Sequence, residues 1–510
     1  MSRHWTALLF GLMVMIITTS CNGGKVRPKP MDSQSDDSRS DEHDLEETKT
    51  GNPPPGPTYP SPSWFLFLKL FLKDLPPTTP TYKLLYEVAQ KNTELGLDNG
   101  LLQLNITELG RKMCFINKLD YLQEAFNKQE FLDIDVDVNT VNFPLTLTAS
   151  IQANGPAHDE TQAFVHKYIK NPEFMRNEIT PRMNTAITGL ISQLQANPDY
   201  TKVITPMLGY ADDLFHRITF NEVGSYDLAQ GTFGSDLSIL ALQLFNPQLF
   251  VPTPGNSPEL NIVKEYLQDQ SAASAGDKKS LVGLYHDYIN NLESPIARPE
   301  DVWRHMMDLF VGGRTNIGVG LAFIIYRLAE DQNLQDRIRK EISKFEDNVN
   351  YDDRFTNFPE TMSFIYEIYR FHPLVPLGVT HVASADGKIG GFDINKDTRI
   401  LPNIYSIHND PLYWKSPEVF NTTRFLQLND GDLTFDSGSA NATRVVSFST
   451  GRRSCPGELL ARNIFFKTTV RLVQNFRMSL MPSVNVNINE VYSALFMKPP
   501  EYQAKFDPIL

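Results

Sequence analysis

The stretch that most constrains this chain is Phe448-Ser-Thr-Gly-Arg-Arg-Ser-Cys-Pro-Gly457. A single cysteine, Cys455, sits in a turn bracketed by glycines and leads into Glu458-Leu-Leu-Ala-Arg-Asn-Ile-Phe-Phe466, which reads as the start of a helix. That layout suits a thiolate acting as an axial ligand. Gly451 and Gly457 let the backbone approach a flat ligand with no Cβ in between. Pro456 stiffens the entry into the helix, whose first amides favour a negative sulfur. Arg453 is placed to pair with an anionic side group of the same ligand. The plain alternative is a buried structural cysteine beside a surface basic pair, since free cysteine is among the most buried residue types.

Phe448, Gly451, Arg453, Cys455 and Gly457 fill every fixed position of F-x-x-G-x-R-x-C-x-G. In this the chain resembles the haem-thiolate cytochrome P-450 monooxygenases of the microsomal type. The resemblance implies one large domain, mainly α with a small β region, holding haem b (iron protoporphyrin IX) with Cys455 as the metal ligand. Such a thiolate donates electron density to iron and favours O–O cleavage.

A second landmark is Met306-Met-Asp-Leu-Phe-Val-Gly-Gly-Arg-Thr-Asn-Ile317, inside a long helical pattern. Two adjacent glycines in a helix cost about 1 kcal/mol each relative to alanine, so something flat or bulky is expected against Gly312 and Gly313. The resemblance aligns this stretch with the family's distal helix, A/G-G-x-[D/E]-T-[T/S]. Gly312 and Gly313 match, but Thr315 stands where the acid belongs and Asn316 where the threonine belongs. In the family, the acid and the alcohol relay protons to the oxygen being reduced. An amide is no substitute for a hydroxyl donor, and Thr315 points about 100° elsewhere on the helix. Reduced or uncoupled oxygen activation is the expectation, with Thr315 and Asn316 as the candidate catalytic pair.

Glu367-Ile-Tyr-Arg370 puts an acid and a base on one helix face. Alone it is an ordinary pair; with Pro417-Glu-Val-Phe-Asn-Thr-Thr-Arg424-Phe425 it resembles the family's E-x-x-R and P-x-R-F elements. A buried Glu367–Arg370–Arg424 triad would lock the cysteine loop in position. His381 falls where the family sets a basic residue against a haem propionate. The family's W-x-x-x-R element should follow Gly155, but His158 and Gln162 occupy its fixed positions, which leaves His158, His166 or Lys167 as substitutes.

Helical patterns are expected at 81–95 and 107–128, with strands at 100–106 and 111–118. Further helices are expected at 161–170, 176–194, 203–220, 236–244, 259–269, 280–290 and 299–330, and short strands near 377–402. Apolar residues in 129–155 and 245–258, with Met306, Phe310, 375–379 and 495–497, are candidate substrate contacts.

The N-terminus departs from globular composition. Ala7–Ile17 is an apolar run of eleven residues, short of the roughly 20 that span a bilayer. Residues 1–20 read as a signal sequence, cleaved or kept as an anchor. Residues 21–62 read as a disordered acidic and Pro-rich tether ahead of a haem domain at 63–510. The chain carries a net charge of −13, and 31–48 holds eight acids against Arg39. Nothing basic enough for nucleic acid remains. Three cysteines, with Cys455 committed, leave no disulfide framework. Of the N-x-S/T sequons at Asn105, Asn421 and Asn441, Asn421 lies in a loop expected to pack inward, which argues against a glycan there.

The leading reading is a monooxygenase that hydroxylates or epoxidises a lipophilic small molecule at a membrane surface. Electrons would come from an NADPH-cytochrome reductase or similar donor, facing Arg444, Arg452 and Lys467. The expected site is the endoplasmic reticulum membrane, or the secretory lumen if the leader is cleaved. The alternatives are a haem-thiolate isomerase or dehydratase that activates no dioxygen, and a haem-binding protein without turnover.

Overall fold

A computed structural model describes residues 58–59, 81–94, 100–106, 111–134, 153–197, 201–221, 258–345, 349–482, 488 and 497–509. The leader at 1–20, most of the tether, the helix expected at 236–244 and all of residues 135–152 and 222–257 lie outside the described residues. The fold is mainly helical with small sheets, as the pattern of long 3.6-residue periods indicates.

The centre is a broken distal helix: Val302–Leu309, a π-helical turn Phe310–Arg314, then Thr315–Glu330. Its last segment is buried nearly all round, from Ile317 to Ala329, as expected of a helix with no polar face. Helix Ile204–Phe220 lies along it, and Glu458–Asn475, the proximal helix, crosses it. The crossing occurs at Gly320, where an added Cβ would stand 2.5 Å from the Phe465 ring. Helices start where capping side chains allow. Ser280 accepts from Gly283 N at 2.9 Å to begin Leu281–Asn290, and Asp331 accepts from Leu334 N at 2.9 Å to begin Gln332–Ile342.

The expected strands at 100–106 and 111–118 are present as Leu101–Ile106 and Arg111–Ile116, antiparallel with Leu101 opposite Ile116. The helical period over 107–128 holds only for Leu119–Phe126. Residues 111–116 instead pair on both edges, with Leu101–Ile106 and in parallel with Arg399–Pro402, and ladder bonds override a local period. Among the described residues that sheet runs Thr58–Tyr59, Leu101–Ile106, Arg111–Ile116, Arg399–Pro402, His381–Val382, Asp133–Ile134. A second sheet joins Phe476–Leu480, Gln503–Pro508 and Thr201–Lys202. A hairpin, Leu426–Asn429 with Asp432–Phe435, turns at Asp430 and Gly431, both at positive φ, the type I′ requirement. No described helix is long and apolar enough to cross a membrane.

Candidate active site

The cysteine loop is built by backbone hydrogen bonds. Cys455 N donates to Phe448 O at 2.8 Å, Ser449 N to Val446 O at 2.8 Å, and Ser454 N to Gly451 O at 3.1 Å across the 3₁₀ turn Gly451–Arg453. Phe448 packs edge-on to Tyr369 and beneath the Arg462 guanidinium, 4.9 Å from its ring. Gly451 is required here by a cause other than an approaching ligand. Its φ is +74°, and a Cβ would meet Phe126 O at 2.4 Å, so helix Leu119–Phe126 sets the constraint. Gly457 has φ −88°, and its Cβ would only touch Cys455 Sγ at 4.0 Å. Glycine at 457 therefore keeps the space beside the sulfur clear.

Cys455 is a half-buried free thiol. Burial pushes it up to about 11, while the Gly457 amide, Lys170 and Arg462 pull it back. A coordinating metal deprotonates such a thiol outright. Cys114, the other described cysteine, is free and fully buried, its thiol pushed up to about 12.

The Glu367–Arg370 pair is completely buried. Arg370 donates to both carboxylate oxygens, at 2.8 and 2.7 Å, and to the carbonyls of His408 and Pro417 at 3.0 Å each. Arg424 reaches Glu367 at 3.4 Å and also grips Lys415 O at 2.7 Å. The triad thus braces residues 415–421, and the link onward to the cysteine loop runs through two other side chains. His408 Nδ1 donates to Arg370 O at 3.0 Å while its Nε2 accepts from Val446 N at 2.9 Å. Ser447 Oγ donates to Tyr369 O at 2.7 Å. The Val446 amide can only donate, so His408 is the neutral Nδ1–H tautomer, and burial beside Arg370 holds its pKa at about 3. No spacing rule singles out His408; only the partners 38 residues away on either side reveal it.

Arg453 is half-buried and donates to Ala153 O at 2.8 Å and Asn154 Oδ1 at 3.4 Å. Burial lowers its pKa to about 10. Asn154 in turn clasps both backbone groups of Ile134, accepting from its N at 2.8 Å and donating to its O at 3.0 Å. His381 is buried, stacked on Phe126 at 4.1 Å, and its Nδ1 faces Phe131 O at 2.8 Å. Burial holds it neutral, with a pKa of about 3, and the Arg453 charge adds to this. His158 is also buried and is lowered first by burial and then by Arg453. Of the three substitutes for the absent tryptophan and arginine, His158 alone turns inward. His166 and Lys167 are exposed, because positions eight and nine residues on fall on the solvent side of helix Gly155–Lys167. Asn421 is likewise exposed, contrary to the inward packing expected of it. Its backbone amide serves Glu367 at 2.8 Å, while its side chain accepts from Thr423 at the surface.

In the distal helix, the two glycines have different causes. Gly313 meets Phe215, whose ring atoms would lie 2.1 Å from a Cβ, whereas Gly312 faces open space. Asn316 Nδ2 donates to Gly312 O at 2.7 Å. Its Oδ1 and the Thr315 Oγ1 are buried with no partner. Phe310, a candidate substrate contact, is instead packed into helix Ile204–Phe220, its ring 4.9 Å from His216 and 5.9 Å from Phe220. Residues 491–496 lie outside the described set; Met497 is buried and donates to Leu374 O at 3.0 Å.

These residues fit haem b. Among the described residues no group of three or more His, Cys, Asp or Glu could hold a metal ion. Cys455 lies ten residues before Phe465 on the proximal side, and Asn316 lies four before Gly320 on the distal side of the same crossing. The open face at Gly312 and the orphaned oxygens of Thr315 and Asn316 border the distal space. Half-buried Arg453, beside the neutral His381 and His158, offers the charge for a propionate.

The family model for cytochrome P450 matches residues 261–506. Residues 261–506 of this chain carry a cytochrome P450 domain. A probable cytochrome P450 from Dictyostelium discoideum is 31% identical over 234 residues, 45% of this chain and 44% of that protein. The chain thus spans less than half the length of that relative. A farnesoate epoxidase from Bombyx mori is 25% identical over 390 residues, 70% of this chain and 75% of that one. A zebra fish cytochrome P450, solved with abiraterone, superposes with a TM-score of 0.71 and 19% identity over 84% of this chain and all of that chain. At that identity the likeness concerns fold. A cytochrome P450 domain brings haem b as cofactor, and the thiol within it that meets the family pattern is Cys455.

Proposed function

We propose that this P450 is a monooxygenase that hydroxylates or epoxidises a lipophilic small molecule with dioxygen and electrons from an NADPH-cytochrome reductase or similar donor. The observation that carries this reading is the cysteine loop: a half-buried thiol, amide-supported at Gly457 and braced through His408 to the Arg370 helix. When bound there, haem supplies reductive activation of dioxygen and transfer of one oxygen atom to the substrate, the other leaving as water. Arg453 would hold the propionate edge, and the apolar walls of the distal helix would exclude water. A relative named for epoxidising farnesoate supports an apolar substrate.

A specific observation favours a second reading. Asn316 spends one of its two amide hydrogens on Gly312 O, and its Oδ1 is a buried acceptor without a partner. That suits a ligand carrying its own O–H, as in an isomerase or dehydratase that reduces no dioxygen. Comparing NADPH-dependent turnover, with a reductase, against turnover supported by a hydroperoxide alone separates the two. The ferrous protein with CO should show the Soret position of a thiolate ligand, and Cys455→Ala should lose it. A colourless or imidazole-type protein would overturn both readings.

The N-terminal run and acidic tether support retention at the endoplasmic reticulum membrane with the haem domain cytosolic. Digestion of intact microsomes tests this: a protected domain would place it in the lumen instead.

A further inference from the structure

A buried ion pair sits where the distal helix is most irregular, and the chemistry above has not used it. Arg314 ends the π-helical turn, and its Nε donates to Asp212 Oδ1 on helix Ile204–Phe220. The two side chains are 4% and 2% exposed. Four consecutive contacts zip these helices together: Phe310 against His216 and Phe220, Gly313 against Phe215, Arg314 with Asp212, and Gly318 against Leu208. Asp212 is itself fixed, because its carbonyl accepts from His216 Nδ1 at 2.7 Å while His216 Nε2 accepts from Tyr266 at 2.8 Å.

A pair of this kind is a poor source of stability. Desolvating two charges offsets most of their attraction, and well-packed apolar replacements are often as stable or more so. What an ion pair supplies that two leucines do not is register. A π turn carries one residue more than an α turn, so relaxation of Phe310–Arg314 to α geometry would rotate the following residues by about 100°. Those following residues are Thr315 and Asn316, whose side-chain oxygens are buried without partners.

We propose that Asp212 and Arg314 are positioning residues: the pair holds the π turn and so aims Thr315 and Asn316 into the distal space. The inference rests on Cys455 ligating haem, and holds whether or not the enzyme reduces dioxygen.

The test uses the ferric haem protein and imidazole as a distal probe, so it needs no turnover. Asp212→Asn, Arg314→Met and the apolar double variant Asp212→Leu/Arg314→Met are compared by thermal melting, resting Soret spin state and imidazole affinity. The single variants should melt lower and shift imidazole affinity by about fivefold or more. The double variant should recover the melting temperature while keeping the altered affinity and spin state. A purely structural pair would instead recover all three together, which would overturn the proposal. So would Asp212→Asn with unchanged affinity. Loss of the thiolate Soret band in the unsubstituted protein would fault the haem reading rather than the pair.

Discussion

Asn316 Nδ2 donates to Gly312 O at 2.7 Å, one turn back across the π-helical segment, and this leaves Oδ1 buried without a partner. The residue thus presents a fixed carboxamide, with one amide hydrogen committed to the backbone, where the family has a freely rotating hydroxyl. Under the monooxygenase reading, reducing equivalents should leak to peroxide because an amide hydrogen is too weakly acidic to pass a proton on as a hydroxyl and water chain does. Asn316→Thr is expected to raise product formed per NADPH consumed by about tenfold, less than the roughly 100-fold or more that a positioned proton donor contributes to a rate, because coupling is capped by full use of the NADPH. Product and peroxide quantified in the same reaction check it, and an unchanged ratio would mean that another group delivers the proton.

Removing one member of the buried triad should be far worse than removing a surface pair. Glu367 accepts from Arg370 twice and from the Asn421 amide at 2.8 Å, with Arg424 at 3.4 Å. Glu367→Ala leaves two guanidinium groups without their carboxylate, a loss of roughly 3–5 kcal/mol. The expected outcome is poor haem retention and a strongly lowered melting temperature. Arg452→Ala, which breaks an ion pair to Asp159 with both side chains more than half exposed, should leave melting nearly unchanged.

Much of this was legible in local spacing, because the cysteine loop, Glu367 with Arg370, and Arg424 each sit in short motifs. What was not legible depends on partners distant in the chain. Gly313 announces itself as a helix glycine, yet its cause is Phe215; Gly451 announces a turn, yet Phe126 O sets its constraint. Asp212 and Arg314 are 102 residues apart. The strands Phe476–Leu480 and Gln503–Pro508 pair across a long gap and carry little period of their own. By contrast, Asp430-Gly431 is a hairpin signal carried by two adjacent residues.

The two glycines of the cysteine loop should respond differently to alanine. At Gly451 the backbone is left-handed and Phe126 O is 2.4 Å from the added carbon. Strain of about 1–3 kcal/mol from φ alone, plus the overlap, should lower the melting temperature of Gly451→Ala by several degrees. At Gly457 neither penalty applies, so Gly457→Ala should melt normally. The new methyl beside Cys455 Sγ should register in the Soret spectrum instead. A melting loss at 457 equal to that at 451 would contradict the assignment of strain.

Glu341 provides a pH-dependent contribution away from the haem site. Helix Pro359–Phe371, which carries Glu367 and Arg370, has no cap from its own Phe358. Glu341 supplies one from a neighbouring helix, accepting from Glu360 N at 2.8 Å, Thr361 N at 2.9 Å and Thr361 Oγ1 at 2.6 Å. Burial nevertheless outweighs these donors and raises its carboxyl from 4.5 to about 7. Since the folded-state value lies above the unfolded one, the folded state binds the proton more tightly. The stability this gives is fully present below pH about 4.5 and is lost as pH rises through about 7, on the order of 1–3 kcal/mol in all. Glu341→Gln cannot titrate and keeps one acceptor oxygen, enough for Thr361 N and Oγ1 but not for Glu360 N as well. Its melting temperature should therefore fall less than that of the unsubstituted protein between pH 5 and 8, a difference read directly from paired melts at each pH; parallel curves would show that the carboxyl stays ionised throughout.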